Sequence, residues 1–481
     1  MERVCVRKLE ASAVGLIVWL GLTSCSSSEE PVSVQPPGAG GSHSSGGSSG
    51  GSVPTSSGGT STSNGGSIAS GGVVSRGGAG GSGVTPSGGA GNAPSGGKGG
   101  GPTVGGSSGT TGGNQSGGGA GGAQSGGVGG SASSSTGGGP VAPGCTPPSE
   151  YPNLFVTIAG KTQEESDAKV TAAWNQLYDP ANANTVYYDG PGADESYVKD
   201  TGNNDVRTEG MSYGMMTAVQ LDKQKEFDRL WSWVKNHMAN GTGEISWQCS
   251  TGGGKMSNGG APDGEEYMAT ALIFASKRWG DSSGKFQYAS EAQWVLDLIR
   301  TKYFNASAHI IKFVSGSNNT DGSYVLPAFY ETWACFDTAN AEFWKASVDA
   351  GRKFFQAAAN SNGVIPDQSS FTGQALGSAG SDAKRCVMNI MMDHNFFGAD
   401  PWQTETYAPA FGAYMKNNGD GSAAQFSCNA LLGFGLPEAT GKPFVDKLWT
   451  AAIPTGQWRY YDGTLYMLSL LHVSGTFKLY Y

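Results

Sequence analysis

Three carboxylates stand where polar connections run into apolar helical segments. Glu209 lies in Asp205-Val-Arg-Thr-Glu-Gly-Met-Ser-Tyr-Gly-Met-Met216, in the first turn of a predicted helix that Thr208 can cap. Met211, Tyr213 and Met215 ring it. A carboxyl enclosed by such side chains is desolvated, which raises its pKa as a general acid requires. The bland alternative is a first-turn glutamate that serves only the helix dipole. Gly210 and Gly214 leave one face of this helix open to a ligand or a neighbouring helix. Asp263 lies in Ala261-Pro-Asp-Gly-Glu-Glu-Tyr-Met268, and with Glu266 three residues on it also reads as an acidic capping box. Asp382, in Gly380-Ser-Asp-Ala-Lys-Arg385, opens another helix. Ser381 can cap there and leave Asp382 facing a cleft. Arg385, one turn later, can hold a carboxylate ionised or bind a hydroxyl.

The elements that must position these groups are helices. Phe227, Trp231, Val234 and Met238 share one helical face, as do Tyr288, Ala292, Val295, Ile299 and Tyr303. The pattern predicts helices over 164–178, 208–222, 224–239, 264–280, 287–303, 327–338, 339–359, 382–396, 402–418, 424–435, 440–450 and 462–473. Twelve helices with short and long connections in turn suggest helix pairs wound into a ring. The long connections, 183–207, 241–262, 304–326 and 360–381, are of the length that carries function. Trp247, Tyr324, Phe371, Tyr460 and Tyr461 lie in or beside them. Aromatic faces stack on the apolar faces of sugars, so Trp247 is expected to contact a neutral polysaccharide, while most of the other aromatics fill the core.

The segment Thr208-Glu-Gly-Met-Ser-Tyr-Gly-Met215, followed by Glu226-Phe-Asp-Arg-Leu-Trp-Ser-Trp233, resembles the signature of glycoside hydrolase family 8. Ala261-Pro-Asp-Gly-Glu-Glu266, Ser381-Asp-Ala-Lys-Arg385 and Arg459-Tyr-Tyr-Asp-Gly463 are similar to its later motifs, in the same order. The resemblance covers essentially residues 150–481. It implies an all-α, (α/α)6 barrel and an inverting hydrolysis of β-1,4-linked glycans that needs no metal or cofactor. Carried over, Glu209 resembles the general acid, Asp382 the general base, and Asp263 the aspartate that grips and distorts the sugar beside the scissile bond. Trp247, Arg385 and Tyr461 resemble cleft residues. Tyr213 and Tyr460, within the first and last motifs, are counted with them as substrate-binding. Ser381 stands where many members carry Tyr. Inversion needs the two carboxyls roughly 6.5–9.5 Å apart, with a water between base and anomeric carbon.

The motifs look most like those of xylan-active members. Some of these are endo-acting; others release xylose from the reducing end, where a loop carrying Leu-His-Pro blocks the cleft. The comparable stretch here, Gly419-Asp-Gly-Ser-Ala-Ala-Gln-Phe-Ser427, lacks it. The expectation is an open cleft and an endo-1,4-β-xylanase, with the exo-oligoxylanase next and a β-1,4-glucanase third. A surface glycan-binding protein that kept the barrel and lost catalysis is the rival from another class. A structural surface protein is suggested by the long tether described below alone.

The rest of the 481-residue chain is arranged around this head. Residues 1–24 read as a lipoprotein signal: Arg3, Arg7 and Lys8, then an apolar run from Ala11 to Leu22. Leu22-Thr23-Ser24-Cys25 resembles a bacterial lipobox, which implies cleavage before Cys25 and lipidation of its thiol. Residues 25–148 read as a disordered Gly/Ser tether. Of 79 glycines in the chain, 44 lie in 26–144, which cannot bury enough apolar surface to fold. Such a coil spans roughly 55–65 Å. The catalytic domain is then 149–481, anchored at the cell envelope or outer surface through lipid alone and acting as a monomer. Net charge is −9, with 35 acidic and 25 basic side chains in 145–481, which disfavours nucleic acid. Five cysteines remain for the head (Cys145, Cys249, Cys335, Cys386 and Cys428), enough for one disulfide whose pair the sequence does not select. The histidines lack metal-ligand spacing.

Overall fold

The computed structural model describes residues 145–481, apart from 242, 282–284 and 420. The signal, Cys25 and the tether up to residue 144 lie outside the described residues.

Six helices make an inner ring: α3 (Thr208–Gln220), α5 (Pro262–Trp279), α7 (Pro327–Phe336), α9 (Cys386–Phe397), α11 (Ala423–Asn429) and α13 (Arg459–Val473). Each packs on the next, and α13 closes the ring on α3. Six outer helices alternate with them in sequence: α2 (Gln163–Leu177), α4 (Gln224–Trp233), α6 (Tyr288–Leu298), α8 (Ala341–Ala358), α10 (Ala408–Asn418) and α12 (Glu438–Thr450). Of these, α4, α6, α8 and α12 pack on the inner helix that precedes them, and α2 packs on α13. A short α1 (Leu154–Thr157) precedes them all. The two layers differ as burial requires. In α3 every residue except Glu209 is buried, whereas α8 buries a stripe containing Trp344, Val348, Phe354 and Phe355 and leaves its other face to water. This is the helix-rich, two-layer ring of an (α/α)6 barrel. No helix among the described residues is long and apolar enough to cross a membrane.

Two features depart from the pattern-based reading. Five of the predicted helices change geometry partway. Residues 382–385 form a 3-10 turn ahead of α9, and 430–434 form one after α11. π-turns at 234–238 and 299–303 end the outer pairs' α4 and α6. A third π-turn, at 403–407, leads into α10. Second, the 183–207 and 241–262 connections contain a four-stranded antiparallel sheet, ordered β1 (Tyr187–Asp189), β2 (Ser196–Asp200), β3 (Asp205–Arg207) and β4 (Gln248–Ser250). A two-stranded hairpin, β5 (Phe304–Asn305) and β6 (Ile310–Ile311), stands in the third connection. Strands of two to five residues are too short for alternation to show. Of the five cysteines from which one disulfide is expected, Cys145 and Cys335 form it, tying the start of the described chain to α7 across 190 residues. Cys249, Cys386 and Cys428 are buried as thiols.

Candidate active site

The ring alternates direction with its outer layer, so the N-termini of the inner helices gather at one end. The candidate carboxylates sit there. Glu209 is the second residue of α3 and Asp263 the second of α5. Asp382 and Arg385 lie in the turn that enters α9, and Tyr460 and Tyr461 in the first turn of α13. Converging helix N-termini favour negative charge and partly offset the cost of burying it.

None of the expected caps forms. β3 pairs with β4 up to Arg207, opposite Gln248, so the sheet delivers the backbone to α3. Arg207 is the N-cap, Thr208 is already helical, and its N–H donates to the Trp247 carbonyl at 2.9 Å. That bond also places Trp247 beside Glu209. At α5, Pro262 occupies the first turn and makes Ala261 the N-cap, so Asp263 is not a capping residue. Its supposed partner Glu266 is buried, accepts from the Tyr330 hydroxyl at 2.9 Å, and is pushed well above the usual carboxyl range by burial. Ser381 makes no cap bond. The distant Asp367 carboxylate instead accepts from the N–H groups of Gly380 and Ala383, at 2.9 and 2.8 Å. Asp382 is thus not held by a cap and stays partly exposed.

Close backbone packing brings α3 and α5 together. A Cβ on Gly264 would lie 2.8 Å from the carbonyl carbon of Thr208. Gly210, expected to leave a face open, gives that face to the Tyr460 ring; the Tyr460 hydroxyl donates to Glu209 Oε2 at 3.1 Å.

Arg385 joins the three carboxylates. Its Nη1 meets Glu209 Oε1 at 3.1 Å and Asp263 Oδ2 at 2.7 Å, and its Nη2 meets Asp382 Oδ1 at 3.2 Å. The guanidinium is 3 % exposed, Asp263 7 %, Glu209 16 % and Asp382 39 %. Carboxylates on adjacent amino groups of one guanidinium lie no more than about 9 Å apart, an upper bound that admits the roughly 6.5–9.5 Å of an inverting pair.

Burial separates the chemistry of these groups. It pushes the Glu209 carboxyl up to about 7, against the pull of Arg385 and with the help of the Asp263 and Asp382 charges. Burial raises Asp263 too, opposed by its ion pair with Arg385. A carboxyl that holds its proton near neutrality beside a water-exposed carboxylate is an acid and base pair. The Tyr460 hydrogen bond favours the ionised form of Glu209. Tyr460→Phe is therefore expected to move the alkaline limb of the kcat/KM profile to higher pH, measured from pH 5 to 9, with little change at the acid end.

Two hollows meet at these residues. One, of about 430 Å³, is lined by Trp247, Asp263, Phe313, Tyr324 and Arg385; the other, of about 260 Å³, by Asn203, Ser381, Trp458, Tyr460 and Tyr461. They share Arg207, Glu209 and Asp382. The Tyr461 hydroxyl donates to the Ser381 carbonyl at 2.8 Å. Tyr213 is a correction: expected to touch substrate, it is buried against Tyr267 and lines neither hollow. Its hydroxyl accepts from Arg385 Nη1 at 2.9 Å, so it positions the guanidinium.

Sequence reasoning missed two groups. Asp321 is buried, accepts from the Ser323 N–H and hydroxyl at 2.8 and 2.7 Å, and burial pushes it up to about 7 within the field of Arg385 and Asp382. An aspartate two residues before a serine in a long connection is a turn-forming signal, and beside Tyr324 it marks a structured part of the cleft wall. Arg207, paired with Asp200 and Asp205, holds its guanidinium 5.6 Å from the Trp247 ring.

The reducing-end xylose-releasing exo-oligoxylanase Rex8A of Paenibacillus barcinonensis is 33 % identical over 369 residues, 69 % of this chain and 97 % of that protein. The reducing end xylose-releasing exo-oligoxylanase of Halalkalibacterium halodurans is 36 % identical over 372 residues, 69 % of this chain and 95 % of that protein. A crystal structure of a reducing end xylose-releasing exo-oligoxylanase superposes with a TM-score of 0.65 at 34 % identity, covering 69 % of this chain and 97 % of its own. Residues 159–475 match the model of glycosyl hydrolases family 8, and the chain belongs to that family.

Proposed function

We propose that the protein is an inverting endo-1,4-β-xylanase with Glu209 as general acid and Asp382 as general base. The observation that carries the reading is the single buried guanidinium that holds a proton-retaining Glu209, an enclosed Asp263 and an open Asp382 where two hollows join. A xylan chain crosses that joint. Asp263 grips and twists the sugar on the non-reducing side, in the hollow it shares with Trp247. Glu209 gives its proton to the departing glycosidic oxygen as the C1–O bond breaks. A water attacks C1 from the opposite face and its proton passes to Asp382, so the product is the α-anomer and one water is consumed. Exchange with solvent returns a proton to Glu209 and removes one from Asp382.

The endo mode is supported by the absence of Leu-His-Pro in 419–427, where Ser422 instead caps α11 by accepting from the Gln425 N–H. The second reading, release of xylose from the reducing end, is favoured by the activity named for the two relatives above. Early products from xylan decide between them: a ladder of oligosaccharides for endo cleavage, chiefly xylose for the exo mode. A carboxymethyl cellulose control addresses the glucanase alternative. Proton NMR during the first turnovers is expected to show the α-anomer, and a β-anomer appearing first would remove the inverting assignment. We also assign the Cys25 lipid anchor and the Gly/Ser tether to this reading, on the sequence alone, as the means of holding the enzyme near its polymer.

A further inference from the structure

Trp458 is the most exposed tryptophan among the described residues, at 61 %. It is the N-cap residue of α13, one residue before Arg459 and two before Tyr460, whose hydroxyl touches Glu209. Its ring lies against Gly202, and a Cβ there would strike the ring. The loop beneath is fixed. The Asp200 carboxylate accepts from the N–H groups of Gly202 and Asn203 at 2.9 and 3.1 Å and pairs with Arg207 at 3.2 Å. The Thr201 hydroxyl donates to the Gln457 carbonyl at 2.8 Å, locking the loop to the residue before Trp458. An indole held by rigid backbone with most of its surface in water is a preorganised platform, and it lines the hollow that Asp263 does not enter.

Resting on the reading above, in which Glu209 and Asp382 bracket the scissile bond, we propose that Trp458 is the stacking platform for the sugar on the leaving-group side. The axial C–H groups of a pyranose form an apolar face that suits an indole, and its equatorial hydroxyls stay in water at the open rim. Trp247 and Trp458 then hold the chain on opposite sides of the bond. Gly202 serves this site by having no side chain.

The test compares two substrates. Xylotetraose must place sugar on the leaving-group side, whereas β-xylobiosyl fluoride departs as fluoride and needs none. Trp458→Ala is expected to lower kcat/KM on xylotetraose about tenfold, the order of one lost aromatic contact, with the fluoride rate unchanged. Trp458→Phe should recover most of the loss. Gly202→Ala, which displaces the ring while leaving it in the chain, should reproduce it. The proposal is overturned by Trp458→Ala within about twofold of wild type on xylotetraose, by equal losses on both substrates, or by Gly202→Ala that leaves the ratio unchanged. A wild-type enzyme that cleaves cello- but not xylo-oligosaccharides would overturn the xylan reading alone; the same ratio taken with cellotetraose and cellobiosyl fluoride would still decide Trp458.

Discussion

Glu209→Gln is expected to lower kcat/KM on xylan by about 10³-fold, because a xylosyl alkoxide is a poor leaving group without a proton. Fluoride needs no such help, so β-xylobiosyl fluoride should be hydrolysed by the variant at close to the wild-type rate. That contrast separates loss of the acid from loss of the fold. The pH profile carries the same information. Burial holds the Glu209 proton to about 7, so wild-type kcat/KM should fall through an alkaline limb near that pH, and the residual activity of the variant should lack it. Stability moves the opposite way. The folded protein binds this proton more tightly than the unfolded chain, where the carboxyl titrates near its ordinary 4.5. Ionising it in place therefore costs stability as pH rises from 4.5 towards 7, and the full cost stays above that. Gln removes a cost of up to about 3 kcal/mol. Thermal melts should show the variant more stable than wild type at pH 8 and equal to it at pH 4. An alkaline limb that persists in the variant would take Glu209 out of the acid role.

Asp382→Asn is expected to lose about 10³–10⁴-fold on both xylan and the fluoride, since each needs an activated water. The two variants thus differ in which substrate they spare. Asp382→Ala opens space on the base side, and added azide should enter it and attack C1 in place of water. Restored turnover of the fluoride with formation of the α-xylobiosyl azide would place Asp382 on the face opposite the leaving group. A β-azide would instead indicate attack from the leaving-group face. Folding should survive, because Asp382 is the most exposed of the three carboxylates on Arg385 and its charge is screened by water. Asp263 differs: enclosed, and bonded to Arg385 at 2.7 Å, it is part of what makes that guanidinium tolerable in the interior.

The inner helices were legible because most of their positions are small or apolar, and the outer ones because only one face is. α3, α5 and α13 needed no more than that contrast. The positions of Glu209, Asp263 and Asp382 at helix entrances were legible for the same reason, since charge is conspicuous at the edge of an apolar run. Their local bonding was not. Cap rules look within four residues of a helix start, while here the work is done by a strand pair at β3–β4 and by Asp367, fifteen residues before Asp382. Tyr213 shows the complementary error. A tyrosine one turn after the acid reads as a cleft residue, but the helix rotates it inward, where its hydroxyl meets Arg385 from below. The Cys145–Cys335 pair was illegible because it joins positions 190 residues apart that only the closed ring brings together.

The contact of Gly264 with Thr208 has a consequence for anyone altering this cleft. A methyl group at 264 would act as a wedge between two helix ends, and every part of the cluster downstream of them would have to be re-aimed. A saturation scan would rank that position beside the acid and the base, although it exchanges no proton and meets no ligand. Reshaping the groove for a bulkier glycan is thus bounded by a hydrogen atom buried beneath its floor.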